Sequence, residues 1–307
     1  MSLGILYPGQ GSQRVGMLAE AAVAYPQIRE TFSEASEALG YDLWALVSGG
    51  PSETLELTEF TQPALLTASV ALFRVFCSLH DCRPAAAAGH SLGEYSALVC
   101  AGVLSLADGA RLTRQRGAAM QAAVPAGQGG MAVIIGLPDA VVTDTCTSLS
   151  SETHFVAGVN FNGPGQVVIA GHEAAVDDAL DALKDVGARR AMRLPVSAPF
   201  HTPLMGPASD VMAEAFDDVA WSSPQFPVVS NVDGAVLTSP EAIRSSLVRQ
   251  VTAPVLWTQC MSTLRSLGCD HFLECGPGSV LSGLSKRIDK TVPCRSIETQ
   301  AALEAEI

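Results

Sequence analysis

The chain has 307 residues, 48% of them hydrophobic and 16% charged, with a formal net charge of −13. That length admits one large domain or two moderate ones around a sizeable core, and the acidic balance argues against nucleic acid, whose phosphates need a basic face. An acidic partner would require a local cluster of basic residues.

Leu3–Tyr7 reads as a buried strand, stopped by Pro8 and followed by Gly9-Gln10-Gly11-Ser12-Gln13. This loop lacks the Gly-Lys-Ser/Thr ending of a P-loop and the third glycine of a dinucleotide fingerprint. A strand-end loop presenting backbone donors fits it better; the alternative is an ordinary turn. No basic, apolar signal stretch opens the chain, and no segment reads as the ~20 apolar residues that span a bilayer. A cytoplasmic protein without a membrane partner is expected. Residues 19–48 carry helical patterning broken near Gly40. Thr61-Gln62-Pro63 is predicted to open the next helix, with Thr61 as cap and Pro63 in the first turn, running to about Leu79.

Gly89-His90-Ser91-Leu92-Gly93 has the pattern of a nucleophile elbow, in which a strand turns sharply into a helix with serine at the bend. Glycines on both sides allow the tight fold, and the new helix would aim its free N–H groups at a bound carbonyl. A turn with a capping serine is the alternative. Pro84–Ala88 before it is mostly alanine, a poor strand former. Leu104–Val124 then carries a small-and-apolar stripe at helical spacing. Arg111 on this helix neighbours polar residues and faces water. Arg116 has Leu112, Thr113, Ala119 and Met120 at three and four residues' distance. A buried arginine needs a partner, either an internal carboxylate or the carboxylate of a substrate.

From Gly127 a glycine-rich, linker-like stretch leads into regular alternation. Strands are predicted at Met131–Leu137, His154–Asn160, Gln166–Ala170 and Arg189–Val196, with helices at 138–150 and 173–186. This βαββαβ order is that of a ferredoxin-like unit, inserted as residues 127–196 into a larger domain made of 1–126 and 197–307. His201 follows in a proline-bracketed loop, a candidate general base or a solvated histidine. Pro227–Asn231 and His271–Glu274 read as further strands, the latter leading into a helix that runs through Ile288. Strands alternating with helices predict a mainly parallel α/β sheet. The eight cysteines form no C-x-x-C pair and no metal-ligand spacing with the six histidines, so they read as reduced core thiols and no metal is expected.

Taken in order, these stretches resemble the malonyl-CoA:acyl carrier protein transacylase family nearly end to end. The resemblance is carried by Gly9–Gln13, Thr61–Leu65, Gly89–Ser96, Arg116-Gly117, Asn160–Asn162 with Gly165-Gln166, Ala198–His201, Asn231–Gly234, Arg249-Gln250 and Gly276–Gly278. It implies an α/β-hydrolase-like core with a ferredoxin-like small domain. It also implies Ser91 as nucleophile, His201 as base, and the Gln250 backbone carbonyl as the group orienting the imidazole, in place of a triad acid. Gln10 and Leu92 would supply oxyanion N–H groups. Arg116 would pair with the malonyl carboxylate, and Leu92 and Phe200 would shape the acyl pocket. The substrates would be malonyl-CoA and the phosphopantetheine thiol of holo-acyl carrier protein, with no cofactor or metal. The enzyme is expected to act as a monomer. Arg189, Arg190, Lys286, Arg287 and Lys290 are candidates for the basic face that receives the carrier.

Three rivals remain at this point. A serine esterase or thioesterase would explain Ser91 and His201 but not Arg116. A malonyl transferase of polyketide synthesis or of malonate decarboxylation is a closer rival that the sequence does not exclude. A non-catalytic carrier-binding protein would not need both Ser91 and His201.

Overall fold

The structure, a computed structural model, describes residues 2–81 and 83–306. Among these residues, ten strands form two sheets. β1 (Leu3–Tyr7) and β2 (Ala86–Gly89) lie side by side in the first. The second is built from β3 (Gly129–Ile135), β4 (Val156–Gly163), β5 (Gln166–His172) and β6 (Arg190–Arg193). The chain then returns to the first sheet with β7 (Val228–Val229), β8 (Val236–Leu237), β9 (His271–Glu274) and β10 (Cys294–Ser296). Strand order in the first sheet is β10-β9-β1-β2-β7-β8, parallel throughout except for the β7–β8 hairpin. The second sheet runs β4-β5-β3-β6 and is wholly antiparallel. The mixed α/β architecture expected from the alternation is therefore present.

Alanine builds β2 for a reason that propensity alone misses. Ala86, Ala87 and Ala88 are fully buried, with Ala87 in the core on one face and its two neighbours in the core on the other. Between β1 and β7, side chains this small let helices pack close on both faces of the sheet, and context overrides propensity. The register Tyr7↔Gly89 brings the ends of β1 and β2 level, so the loops after both strands open at one edge.

Several boundaries differ from expectation: β4 ends three residues later than predicted and β6 three residues earlier, and three further shifts have a visible cause. The helix predicted to open at Thr61 spans Thr58–Leu79, beginning after Leu57. Pro63 thus lies inside it, and the Thr61 hydroxyl donates to the Leu55 and Leu57 carbonyls rather than capping. Gly129 and Gly130 belong to β3 rather than to a linker: a Cβ on Gly129 would meet Pro199 at 2.4 Å, so close packing explains the glycine. The predicted Pro227–Asn231 strand is reduced to Val228–Val229, because the chain turns at once into its hairpin. The Thr58–Leu79 helix is also long and apolar enough to cross a bilayer, which the sequence reading did not register; 72% of its apolar window is buried, making it the fold's central helix. None of the seven described cysteines is in a disulfide; Cys82 lies outside the described residues.

The antiparallel sheet is tied to the rest of the chain by an isolated bridge between β4 and the loop at Val255. Phe161 N–H donates to the Val255 carbonyl at 2.9 Å, and Val255 N–H donates to the Val159 carbonyl at 2.8 Å.

Candidate active site

The elbow is as tight as its glycines require. A Cβ on Gly89 would lie 1.8 Å from the Gly93 carbonyl carbon, and one on Gly93 would lie 2.2 Å from the Tyr7 oxygen. Ser91 sits at the bend with φ 52°, a left-handed conformation that costs a non-glycine residue ~1–3 kcal/mol. Three hydrogen bonds hold it there. Ser91 N–H donates to Asn231 Oδ1 at 2.7 Å, Asn231 Nδ2 donates to the Gly89 carbonyl at 2.7 Å, and Gln250 Nε2 donates to the Ser91 carbonyl at 3.1 Å.

His201 faces the serine across the cleft, with 2.7 Å between Ser91 Oγ and His201 Nε2. Its ring Nδ1 donates to the Gln250 carbonyl at 2.9 Å, which fixes the tautomer and leaves Nε2 as an acceptor. Among the described residues the Gln250 carbonyl, and no carboxylate, occupies this position. His201 is not solvated but 4% exposed, and it too has a left-handed backbone at φ 62°. Burial, helped by the nearby Arg116 charge, pushes the imidazole from 6.5 down to about 3, so the ring is neutral.

Arg116 is 1% exposed, and its partners are unusual for a buried cation. It donates to Gln62 Oε1 at 2.9 Å, to Gln250 Oε1 at 2.9 Å and to Ser91 Oγ at 3.1 Å. The guanidinium lies 5.6 Å from the centre of the Tyr95 ring, and its Nε has no hydrogen-bond partner among the described residues. The internal carboxylate considered from the sequence is not bonded to it; neutral amides are. Burial lowers the pKa of the guanidinium, which is to say that its charge is under-compensated. Arg111, by contrast, lies at the surface and pairs with Asp108, as its neighbours predicted.

A cavity of about 120 Å³ joins these groups, lined by Gln10, Leu92, Phe200, Met120, Met131 and Val196 among others. Its walls are largely apolar, with Gln10, Gln62, His90 and Asn160 adding polar groups to those of Ser91, His201 and Arg116. Gln10 and Leu92 both border it, and neither backbone N–H has a hydrogen-bond partner among the described residues. Leu92 N-caps the Gly93–Cys100 helix, whose positive end therefore points at the serine. Gly9 lets the first loop come this close, since a Cβ there would meet the His90 oxygen at 2.6 Å. All seven residues singled out in the sequence are thus in one place. Residue-by-residue reading missed the side chains of Gln62, Asn231 and Gln250. Gln62 had one signal: it is a polar side chain within the run of a helix that is buried from Thr61 to Leu72.

The acyl transferase domain family matches residues 5–298. Malonyl CoA-acyl carrier protein transacylase of Salmonella typhimurium is 54% identical over 302 residues, which cover 98% of this chain and 97% of that one. Its Staphylococcus aureus counterpart is 41% identical over 295 residues, 96% and 95% of the two chains. Among solved structures, the malonyl CoA-acyl carrier protein transacylase of Coxiella burnetii superposes with a TM-score of 0.97 at 45% identity, covering 99% of this chain and 96% of that one. A malonyl-transacylase in complex with its type II PKS acyl-carrier protein superposes at 0.96 with 50% identity, covering 99% and 98%. With identity at this level over nearly its whole length, the chain belongs to the acyl transferase family, among the malonyl CoA-acyl carrier protein transacylases.

Proposed function

We propose that the chain transfers malonyl from malonyl-CoA to the phosphopantetheine thiol of an acyl carrier protein, through a malonyl-Ser91 intermediate. The observation that carries this reading is Arg116: a buried cation at the nucleophile, held only by neutral groups, suits a substrate bearing its own carboxylate.

Neutral His201 accepts the Ser91 proton at Nε2 as Oγ attacks the thioester carbonyl. The tetrahedral oxyanion is received by the N–H groups of Gln10 and Leu92, each such donor being worth ~10²–10³ in rate. Collapse expels the CoA sulfur, which takes the proton from His201, and leaves malonyl on Ser91. The carrier's thiol then gives its proton to His201 and attacks the ester, and Ser91 Oγ recovers a proton as it leaves. Gln250 orients the base through its backbone carbonyl throughout. Leu92 and Phe200 bound the acyl group and favour malonyl over a branched homologue. An added methyl shifts such recognition by only ~1–3 kcal/mol, a smaller effect than the carboxylate.

We read the parallel sheet with its helices as an α/β-hydrolase-like domain of residues 1–126 and 197–307. The antiparallel sheet, in the order β4-β5-β3-β6, forms a ferredoxin-like domain of 127–196. Arg189, Arg190, Lys286, Arg287 and Lys290 are all exposed and form our candidate carrier-docking face. The reading includes a monomer that needs no cofactor beyond its substrates. Thiols outside disulfides suit a reducing, cytoplasmic setting.

Intact-mass measurement tests the function. Malonyl-CoA should add one malonyl group, lost in Ser91→Ala and discharged on adding holo-carrier. A serine that stays unlabelled, or a label released as free malonate faster than to the carrier thiol, contradicts it; the latter result would describe a hydrolase.

A further inference from the structure

Glu94 stands in the first turn of the Gly93–Cys100 helix, fully buried beneath the nucleophile, and the chemistry above makes no use of it. Its Oε2 accepts from Gln250 Nε2 at 2.7 Å and from Asn231 N–H at 3.0 Å, while Oε1 has no partner among the described residues. A fully buried acid is costly to keep, and burial pushes this carboxyl up to about 7 against the pull of those two donors.

The geometry of the Gln250 amide shows what Glu94 does. A carboxamide has a donating and an accepting end of nearly the same shape, so its orientation depends on its neighbours. Here Nε2 faces two acceptors, Glu94 Oε2 and the Ser91 carbonyl at 3.1 Å, and Oε1 faces the Arg116 guanidinium at 2.9 Å. Turned over, the amide would set oxygen against oxygen twice and N–H against N–H once. The carboxylate is the stronger of the two acceptors. Glu94 also holds the Asn231 backbone, whose side chain accepts the Ser91 N–H.

We propose that Glu94 is a positioning residue that locks the Gln250 side chain oxygen-first onto Arg116, and so presents the arginine to the acyl carboxylate. It touches no substrate and acts through Gln250. This inference rests on the reading that Arg116 receives the malonyl carboxylate.

The test is a double-variant cycle on the full chain, reading Ser91 acylation by malonyl-CoA and by acetyl-CoA with intact mass. Glu94→Gln is nearly isosteric and can keep an oxygen where Oε2 accepts from Asn231 N–H and Gln250 Nε2, but it removes the charge that holds the Gln250 amide in one orientation. Its malonyl-to-acetyl rate ratio should fall by ~10-fold or more, the scale of one charge-assisted hydrogen bond. Gln250→Met keeps the backbone carbonyl and removes the amide; adding Glu94→Gln to it should change the ratio no further. If Glu94→Gln does not fold, Glu94→Asp, which withdraws the carboxylate by a methylene, runs the same cycle with the same expected signs. An unchanged ratio, an equal slowing of both substrates, or losses that multiply in the double variant overturns the proposal. A wild type without malonyl preference would instead overturn the reading of Arg116 itself.

Discussion

The two sheets treat arginine in opposite ways. In the antiparallel sheet, Arg193 is 30% exposed and lies against two carboxylates, with Nη2 at 3.0 Å from Glu173 and 2.7 Å from Asp177. Beside the parallel sheet, Arg116 is almost wholly buried and has two amides and a hydroxyl instead. Exposed ion pairs of the first kind are worth ~0–1 kcal/mol each, because water screens them. A desolvated charge of the second kind is worth far more to whatever neutralises it, and no carboxylate among the described residues is bonded to it. The difference teaches that an arginine's value to function lies in what the fold withholds from it.

The largest expected effect breaks the comparison if it fails. Arg116→Ala should lower malonyl-CoA acylation of Ser91 by several hundredfold or more, the scale of ~3–5 kcal/mol for an unpaired buried charge, while acetyl-CoA changes little. Arg116→Lys should rescue poorly, since an ammonium cannot form the same fork. Equal losses for both substrates in stopped-flow acylation would mean that the arginine serves the fold and not the carboxylate.

The pH profile sharpens the electrostatic side. A His201 held at about 3 stays neutral as pH falls below its ordinary 6.5, so the acid limb of kcat/KM should lie well below pH 6.5. The Arg116 charge contributes to that depression, so in Arg116→Ala the limb, read with acetyl-CoA, should move up. The same shift bears on stability. Between pH 6.5 and about 3 the unfolded chain binds a proton at this site that the folded one refuses, so this contribution to stability falls as pH drops. A limb at or above 6.5 in the wild type would show that burial does not govern the base.

A smaller effect is expected at the proposed docking face. Lys286→Glu with Arg287→Glu should raise the carrier KM several-fold at low salt, an effect that fades as salt rises, and leave the malonyl-CoA KM alone. A carrier KM indifferent to both charge and salt would place docking elsewhere. Smallest of all is Arg193→Ala, which should cost ~1 kcal/mol or less in a denaturant melt and leave acylation unchanged. A marked loss of malonyl preference there would dissolve the contrast between the two arginines.

How far this site was legible in the sequence follows from the kind of constraint each residue obeys. Gly89 and Gly93 are forced, since a Cβ on either would lie only 1.8 or 2.2 Å from backbone atoms, so the elbow's spacing carried its geometry on its face. Arg116 was visible because its helical neighbours are apolar. The strand before the elbow read poorly, since three alanines gain their strand from burial on both faces and not from propensity. Gln62, Asn231, Glu94 and Gln250 left little trace. They are scattered over some 190 residues; a neutral amide announces neither catalysis nor charge until folding sets it against one, and Glu94 reads as an ordinary acid in a helix's first turn until its burial is seen. Pro63 misled for a related reason: the central helix starts one turn earlier than its proline suggests.

The central claim is that Arg116 makes this serine a site for an acid-bearing acyl group. One competition measures it most directly: equal concentrations of malonyl-CoA and acetyl-CoA mixed briefly with the wild-type chain, and the intact mass of the acyl-enzyme read before turnover. The account predicts that nearly all labelled Ser91 carries malonyl. Acetyl-Ser91 in comparable amount would contradict it.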